Sequence, residues 1–588
     1  MTTSRTWAVC ALVLIGGALS SCSQPAATIP AAIEELSPPW FADITDEAGI
    51  KFKHDAGPMD DRYFMPQIVG SGAACFDFDN DGLLDLYLLQ NGGPRGARNR
   101  LYRQVKRGRF EDVSAYSKLD IAGYNMGVAV ADINNDGWPD VLVTQYLGVR
   151  LFLNNKDGTF SDITEKAGLK NPHWGTSAAF LDYDRDGWVD LILVVYVDYD
   201  DTQVCRAPSG ERDYCSPASF SKRVSKLFRN LGVPADAKSN FPTIRFEDVS
   251  DRSGIGQTAG PGLGVVCADF DGDGWTDVFI ANDGKPNHLW INQKNGTFVE
   301  QGVRRGVAVN VMGNAEANMG IGWGDVDGDG LQDLFVTHLS SETNTLWKQW
   351  QRGLFRDDTS FSALNRPRWA GTGFGTVLGD FNRDGHLDVA IVNGRVSKDI
   401  TLINDELGPF WGWYGERNQL FANDGNGKFN DISMSNPAFS GRRQIGRGLA
   451  MADFDGDGSL DLVAMSVSGR ARLFKNIAPN PGHWLMVRAW DKAHNRDALA
   501  ADVVVRSEAK EWIRTINPGG SFLCSNDVRA HFGLGTVDEI TAIEIRWPDA
   551  DPERFEKGDP GFEQGAVDRV VILEKGCGHK RENNKDKR

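Results

Sequence analysis

The sequence predicts an all-β protein, a seven-bladed β-propeller followed by a small β-rich C-terminal domain. Three observations point there. A nine-residue acidic pattern, Asp-x-(Asp/Asn)-x-Asp-Gly-x-x-Asp, occurs seven times in the 588 residues. Each copy runs directly into an apolar, β-branched stretch such as Val278-Phe279-Ile280-Ala281, which reads as a strand. The first aspartates are 55, 50, 87, 56, 55 and 73 residues apart by subtraction of their positions, the length of a propeller blade with insertions in two blades.

Residues 1–21 read as an export signal. Arg5 gives a charged start, and Trp7 to Leu19 forms an apolar stretch too short for an ordinary membrane span. Leu19-Ser20-Ser21-Cys22 resembles a bacterial lipoprotein signal, which implies lipidation at Cys22 and a lipid-anchored protein of the cell envelope. Residues 22–39, rich in Ala and Pro, read as a tether. The propeller is expected over 40–477. Each unit holds a small-residue strand before the acidic loop, such as Gly72-Ala73-Ala74-Cys75-Phe76. It also holds a strand after the loop, a third with Leu-aromatic and often Asn, and a fourth reading Phe-x-Asp-hydrophobic. The last unit lacks its fourth strand, and Phe41-Ala42-Asp43-Ile44-Thr45 is expected to supply it and close the ring.

The acidic loops carry the chemistry. Their positions 1, 3, 5 and 9 are Asp77, Asp79, Asp81, Asp85; Asp132, Asn134, Asp136, Asp140; Asp182, Asp184, Asp186, Asp190; and Asp269, Asp271, Asp273, Asp277. The series continues with Asp325, Asp327, Asp329, Asp333; Asp380, Asn382, Asp384, Asp388; and Asp453, Asp455, Asp457, Asp461. Clustered hard oxygens with Gly at position 6 suit Ca2+, up to seven ions. An EF-hand would need Glu at position 12, where every copy is apolar. Left without metal, the carboxylates would repel one another. Seven divalent ions would offset most of the net charge of −17, and this acidity disfavours nucleic acid as a partner. The loops with Asn134 and Asn382 carry one carboxylate fewer and should bind more weakly. Trp138, Trp188 and Trp275, at position 7, are expected to pack between blades.

After Asn476 the pattern stops, and 478–577 reads as one small β domain. His483-Trp484-Leu485, Asn495-Arg496, Gly519-Gly520-Ser521, His531-Phe532-Gly533-Leu534-Gly535 and Ile545-Arg546-Trp547-Pro548 resemble the ASPIC/UnbV domain. The acidic loops resemble the FG-GAP or VCBS-type repeats of integrin α-chain propellers. Together they are similar to bacterial members of the cartilage acidic protein family, which implies extracellular calcium binding and adhesion or recognition. One departure stands out: the family has Ala-Ile-Gly-Ala after Asn-Arg, and this chain has Ala498-Leu499-Ala500-Ala501. Residues 578–588 read as a charged, disordered tail.

Cys205 and Cys215 in the third-blade insertion are candidates for a disulfide, whereas pairing of Cys524 with Cys577 stays open. No hydrolase, phosphate-binding or zinc-protease motif occurs, and no catalytic residue is assigned. The expected function is that of a calcium-binding, envelope-anchored recognition or adhesion protein with a glycan or protein ligand, calcium being structural in each blade. The enzyme alternative is a calcium-dependent polysaccharide-processing propeller of lyase type. Trp411, Trp413 and Tyr414, flanked by Gly in the sixth-blade insertion, are the candidate ligand surface.

Overall fold

A computed structural model describes residues 37–233, 244–398, 405–479, 481–563 and 567–580. The expected signal segment 1–21, Cys22, most of the tether and residues 581–588 lie outside the described residues. Between residues 37 and 479 the described chain forms seven four-stranded antiparallel sheets, one per acidic loop. Their inner strands are Ala73–Phe76, Asn125–Ala131, Gly175–Leu181, Gly262–Ala268, Ile321–Gly324, Gly373–Gly379 and Gly446–Ala452. Each contacts the next, and the last contacts the first, so the sheets form a closed ring.

Small residues on these strands allow the close approach. A Cβ on Gly320 would lie 2.0 Å from the Phe374 carbonyl oxygen of the adjacent inner strand, and one on Gly264 would lie 2.3 Å from that of Met319. The apolar core lies between consecutive sheets. Val265, Val278 and Trp290 of the fourth, for example, pack on Ile192, Val194 and Leu227 of the third. The seventh sheet is completed by Phe41–Asp43, which pairs antiparallel with Arg472–Asn476.

The asparagine of the third strand has a structural role that the repeat pattern alone does not reveal. Asn154, Asn230, Asn292, Asn423 and Asn476 each donate from Nδ2 to the carbonyl of the second loop residue in the preceding sheet, at 2.8–2.9 Å. Where Gln104 and Gln349 stand instead, the amide bonds within its own sheet. Five of the seven sheets are thus tied to their neighbours by a buried amide, the kind of satisfied polar contact that fixes register.

The C-terminal module is built from a sheet around His483–Asp491 and a five-stranded sheet around Asp502–Arg506. The latter includes His579–Lys580, paired with Glu553–Glu556. Regular structure therefore continues past residue 577, where a disordered tail was expected, because these residues add to the sheet edge. The module sits on the acidic-loop end of the ring: His531 Nε2–H donates to the Gly458 carbonyl, and Gln332 Nε2 donates to Asp502.

From it, the segment around Gly519–Ser525 enters the centre of the ring. Ser521 exchanges backbone bonds with Ile321, Ser525 donates to Ala73 and accepts from Cys75, and Val128 donates to Leu523. Phe522 is fully buried against Phe374 with ring centroids 5.1 Å apart. Ala500, at the family's glycine position, keeps a left-handed conformation with φ +65°. Its N–H donates to Ile516 and the turn is retained.

In antiparallel sheets the second-to-third connections lie at the end opposite the acidic loops. The insertions of the third and sixth sheets meet there. Cys205 and Cys215 are disulfide-bonded, whereas Cys75, Cys267, Cys524 and Cys577 are free. The candidate ligand surface is corrected here. Trp411 and Tyr414 are buried, and Trp413 is half-buried. Tyr414 donates to Asp213 Oδ1 at 2.7 Å, and its ring packs on Tyr214. Their partners are some two hundred residues away in sequence, so the aromatics cover the ring centre instead of facing solvent.

Two stability changes follow. Phe522→Ala should cost about 3–5 kcal/mol, read as a lowered melting temperature of the ring as well as the module. Ala500→Gly should stabilise by about 1 kcal/mol by removing the left-handed strain, a rise detectable by denaturant titration.

Candidate metal centres

All seven loops repeat one hydrogen-bond scheme. The position-1 carboxylate accepts from the N–H of the position-6 glycine, at 2.6–3.1 Å. The position-5 carboxylate accepts from the position-7 N–H. These glycines have φ between +82° and +97°, a region that side-chain-bearing residues rarely adopt.

Position 9 is buried throughout. One of its oxygens accepts from the position-2 N–H, and the other from a backbone N–H on the third strand. The ninth residue therefore holds the loop to the sheet as well as facing it.

The loops bring carboxylates together in groups that could hold a metal ion. Ligand oxygens of Asp77, Asp79 and Asp85 lie within 4.8 Å of one another, as do those of Asp182, Asp184 and Asp190, of Asp269, Asp271 and Asp273, and of Asp325, Asp327 and Asp333. A cation fits on independent grounds. Buried oxygens of Asp79, Asp182, Asp184, Asp455 and Asn134, all at positions 1 or 3, have no hydrogen-bond partner. Such atoms are costly unless something positive faces them. In the two asparagine loops the amide turns its nitrogen to the position-5 carboxylate, at 2.8 Å in both. The amide oxygen of Asn134 is left buried without a partner.

Basic side chains meet the outer oxygens, a feature the sequence reading missed. Arg103 pairs with Asp79 and Asp81, Arg229 with Asp184 and Asp186, Lys348 with Asp327, and Lys475 with Asp455 and Asp457. Each follows a Leu-aromatic pair on its third strand, so the signal was present. From the C-terminal module, Arg496 reaches Asp182 at 3.2 Å, and the buried Arg514 faces Asp380 and Asp325. Part of the acidity is thus answered by the protein itself. Asp491, His494 and Asp549 also cluster, but the Lys575 ammonium lies 3.1 Å from Asp491 and 2.6 Å from Asp549 and fills that position.

The position-7 tryptophans take separate roles. Trp275 lies under the Arg185 guanidinium of the preceding sheet, 3.9 Å from its ring centre. Trp188 packs over Gly232. Trp138 lines a cleft beneath the C-terminal module.

Burial dominates the electrostatics. It pushes the carboxyls of Asp77, Asp132, Asp182, Asp269 and Asp453 up to about 6, that of Asp380 to about 7 and that of Asp85 to about 8. The other six position-9 aspartates are pushed well above the usual range by the same cause. A bound cation would reverse this balance and hold the groups ionised.

Comparison with known proteins places these features in a family. Residues 77–143, 132–193, 269–336, 325–391 and 403–464 match the FG-GAP-like repeat model, together just over half of the chain. Residues 491–571 match the ASPIC and UnbV model. The chain is 26% identical over 476 residues to Cartilage acidic protein 1 of Mus musculus, covering 72% of this chain and 70% of that one. It is 24% identical over 538 residues to the Xenopus tropicalis protein of the same name, covering 88% and 74%. The Homo sapiens protein matches at 26% over 318 residues, covering 52% and 43%. Neither model names a catalytic reaction. Among the described residues no helix is long and apolar enough to cross a membrane.

The raised carboxyls fix the sign of a pH effect. A carboxyl lifted above its unfolded value near 3.9 destabilises the cation-free fold above its folded pKa, and the penalty is relieved as pH falls through that value. Buried His54, His288, His338 and His531, held down to about 4 by desolvation, act oppositely but are fewer than the raised aspartates. In chelator the melting temperature should therefore rise from pH 7.5 to pH 5.5. A divalent ion should stabilise most at the higher pH. Differential scanning calorimetry reads both.

Proposed function

The chain belongs to the FG-GAP-like repeat family with a C-terminal ASPIC/UnbV domain, and we propose that it is a calcium-dependent recognition or adhesion protein of the cell envelope. The observation that carries this reading is the set of partnerless, buried oxygens at loop positions 1 and 3. They are hard donors in tight glycine turns, the ligand type that suits Ca2+. The ions are structural: each would lock the turn between the first and second strands of a sheet, so that folding and ion binding are coupled. The ligands are the position 1, 3, 5 and 9 side chains of the seven loops, and affinities on the order of 10⁻⁴–10⁻³ M are adequate outside the cytoplasm.

Export is supported by the Cys205–Cys215 disulfide, which persists in oxidising compartments. The same setting accommodates an N-terminal lipid at Cys22 and a glycan or protein ligand. Recognition fits the rigidity of the ring, whose centre is filled from both ends by Phe522, Leu523, Trp411 and Tyr414. Binding surfaces are then left to the outer faces and to the seam beneath the C-terminal module.

Calorimetric titration of chelator-stripped protein should show uptake of several Ca2+ ions, with a melting temperature many degrees higher when loaded. Asp273→Ala should lower the loaded melting temperature and the ion count by one, while leaving ligand capture in an envelope-protein and glycan screen intact. An unchanged melt in excess chelator would remove the structural role of calcium. A screen blank with and without calcium would remove the recognition reading.

A further inference from the structure

Building on the recognition reading, we propose that the cleft between the first two acidic loops and the C-terminal module binds a neutral saccharide. The cleft has a volume of about 260 Å³, room for a sugar ring and part of its neighbour. Two indoles line it: Trp138 from position 7 of the second loop, and Trp490 from the strand His483–Asp491. Val570 and Ile572, 44% and 50% exposed, add apolar surface from the strand Arg569–Glu574. Indole faces and aliphatic patches accommodate the C–H faces of a sugar, while its hydroxyls need fixed polar partners.

Those partners are present and already held in place. Arg488 forks onto Asp497 at 2.6 and 3.0 Å, and Arg529 forks onto Asp527 at 2.6–3.0 Å. The Arg488 guanidinium also lies 4.6 Å from the centre of the Trp490 ring, which fixes the indole. Across the whole lining three arginines, Arg488, Arg496 and Arg529, stand against four aspartates, Asp77, Asp132, Asp497 and Asp527, so the cleft walls carry little net charge. This favours a polyhydroxylated neutral ligand over an anion or cation.

An extended peptide is disfavoured by the backbone. His483–Asp491 is paired on both sides. The outer edge of Arg569–Glu574 is covered at Ile572, where a Cβ on Gly561 would lie 2.2 Å from the carbonyl oxygen. Strand addition therefore has no continuous edge to use. Trp138 donates its backbone N–H to Asp136 at 3.0 Å, so its position depends on the second acidic loop. An ion bound in that loop would hold the indole in place, so saccharide binding is expected to depend on it.

The test is an array of neutral, anionic and cationic oligosaccharides probed with the intact exported chain in Ca2+. The best neutral species is then titrated against tryptophan fluorescence. Trp490→Ala and Trp138→Ala should each weaken binding about tenfold or more, Trp490→Phe should retain most of it, and chelator should abolish it. Melting temperatures of the variants in Ca2+ check that each is folded. The proposal is overturned if no neutral saccharide is retained, if only charged saccharides or peptides are, or if both alanine variants bind like the wild type. A blank array beside a positive envelope-protein screen removes this cleft alone and leaves the recognition reading standing.

Discussion

The carboxylate at position 9 of each acidic loop is the contact on which the rest depends. It is buried, it accepts one N–H from the start of its loop and another from the third strand, and in the first, third and fifth loops it belongs to a carboxylate group that could hold a cation. One side chain thus joins a turn, a strand and a candidate ion site. A neutral residue of the same size would satisfy the packing but leave two buried N–H groups with a poorer acceptor. A charged one satisfies them but is stranded in a medium that opposes charge. A cation in the loop would solve the second problem, which ties the architecture to the ion site that the loop could form.

The protein supplies part of that positive charge itself. Arg103, Arg229, Lys348 and Lys475 sit on carboxylate oxygens of four loops, so part of each loop's negative charge is answered within the chain. The partnerless oxygens are at positions 1 and 3, whereas position 9 is engaged by backbone N–H groups. The internal pairing also makes the net charge a poor gauge of how many cations the loops could take, because pairs at partly exposed positions are individually weak.

Much of the ring was legible in the sequence, and the reason is periodicity. A unit that recurs every fifty or more residues announces its strands, and the missing fourth strand of the last unit pointed to Phe41–Asp43 as its replacement. What escaped was contact between segments with no periodic relation. The Trp411–Tyr414 loop resembled an exposed surface because it lies outside the pattern. Its cover, Asp213 and Tyr214, belongs to another insertion with no matching motif. The seating of the C-terminal module was likewise invisible, although Asn495-Arg496, Gly519-Gly520-Ser521 and His531 were noted as motif residues. In the structure several are contact residues: Arg496 reaches the third loop, His531 the seventh, and Ser521 the fifth inner strand. Motif residues in a small domain of unknown role can mark where it attaches, not what it binds.

The ring is fastened by the two ends of the described chain. Phe41–Asp43 joins the sheet made by Arg472–Asn476, and Ser521 and Ser525 bond to inner strands made far earlier. A ribosome releases the chain from one end only, so for most of synthesis both fastenings lack their counterparts. The early sheets must wait with unpaired edges and an unfilled centre, the state in which nascent chains are most open to misassociation. The last-made segment is therefore the one that completes the ring, and the fold cannot close until the chain is released past it.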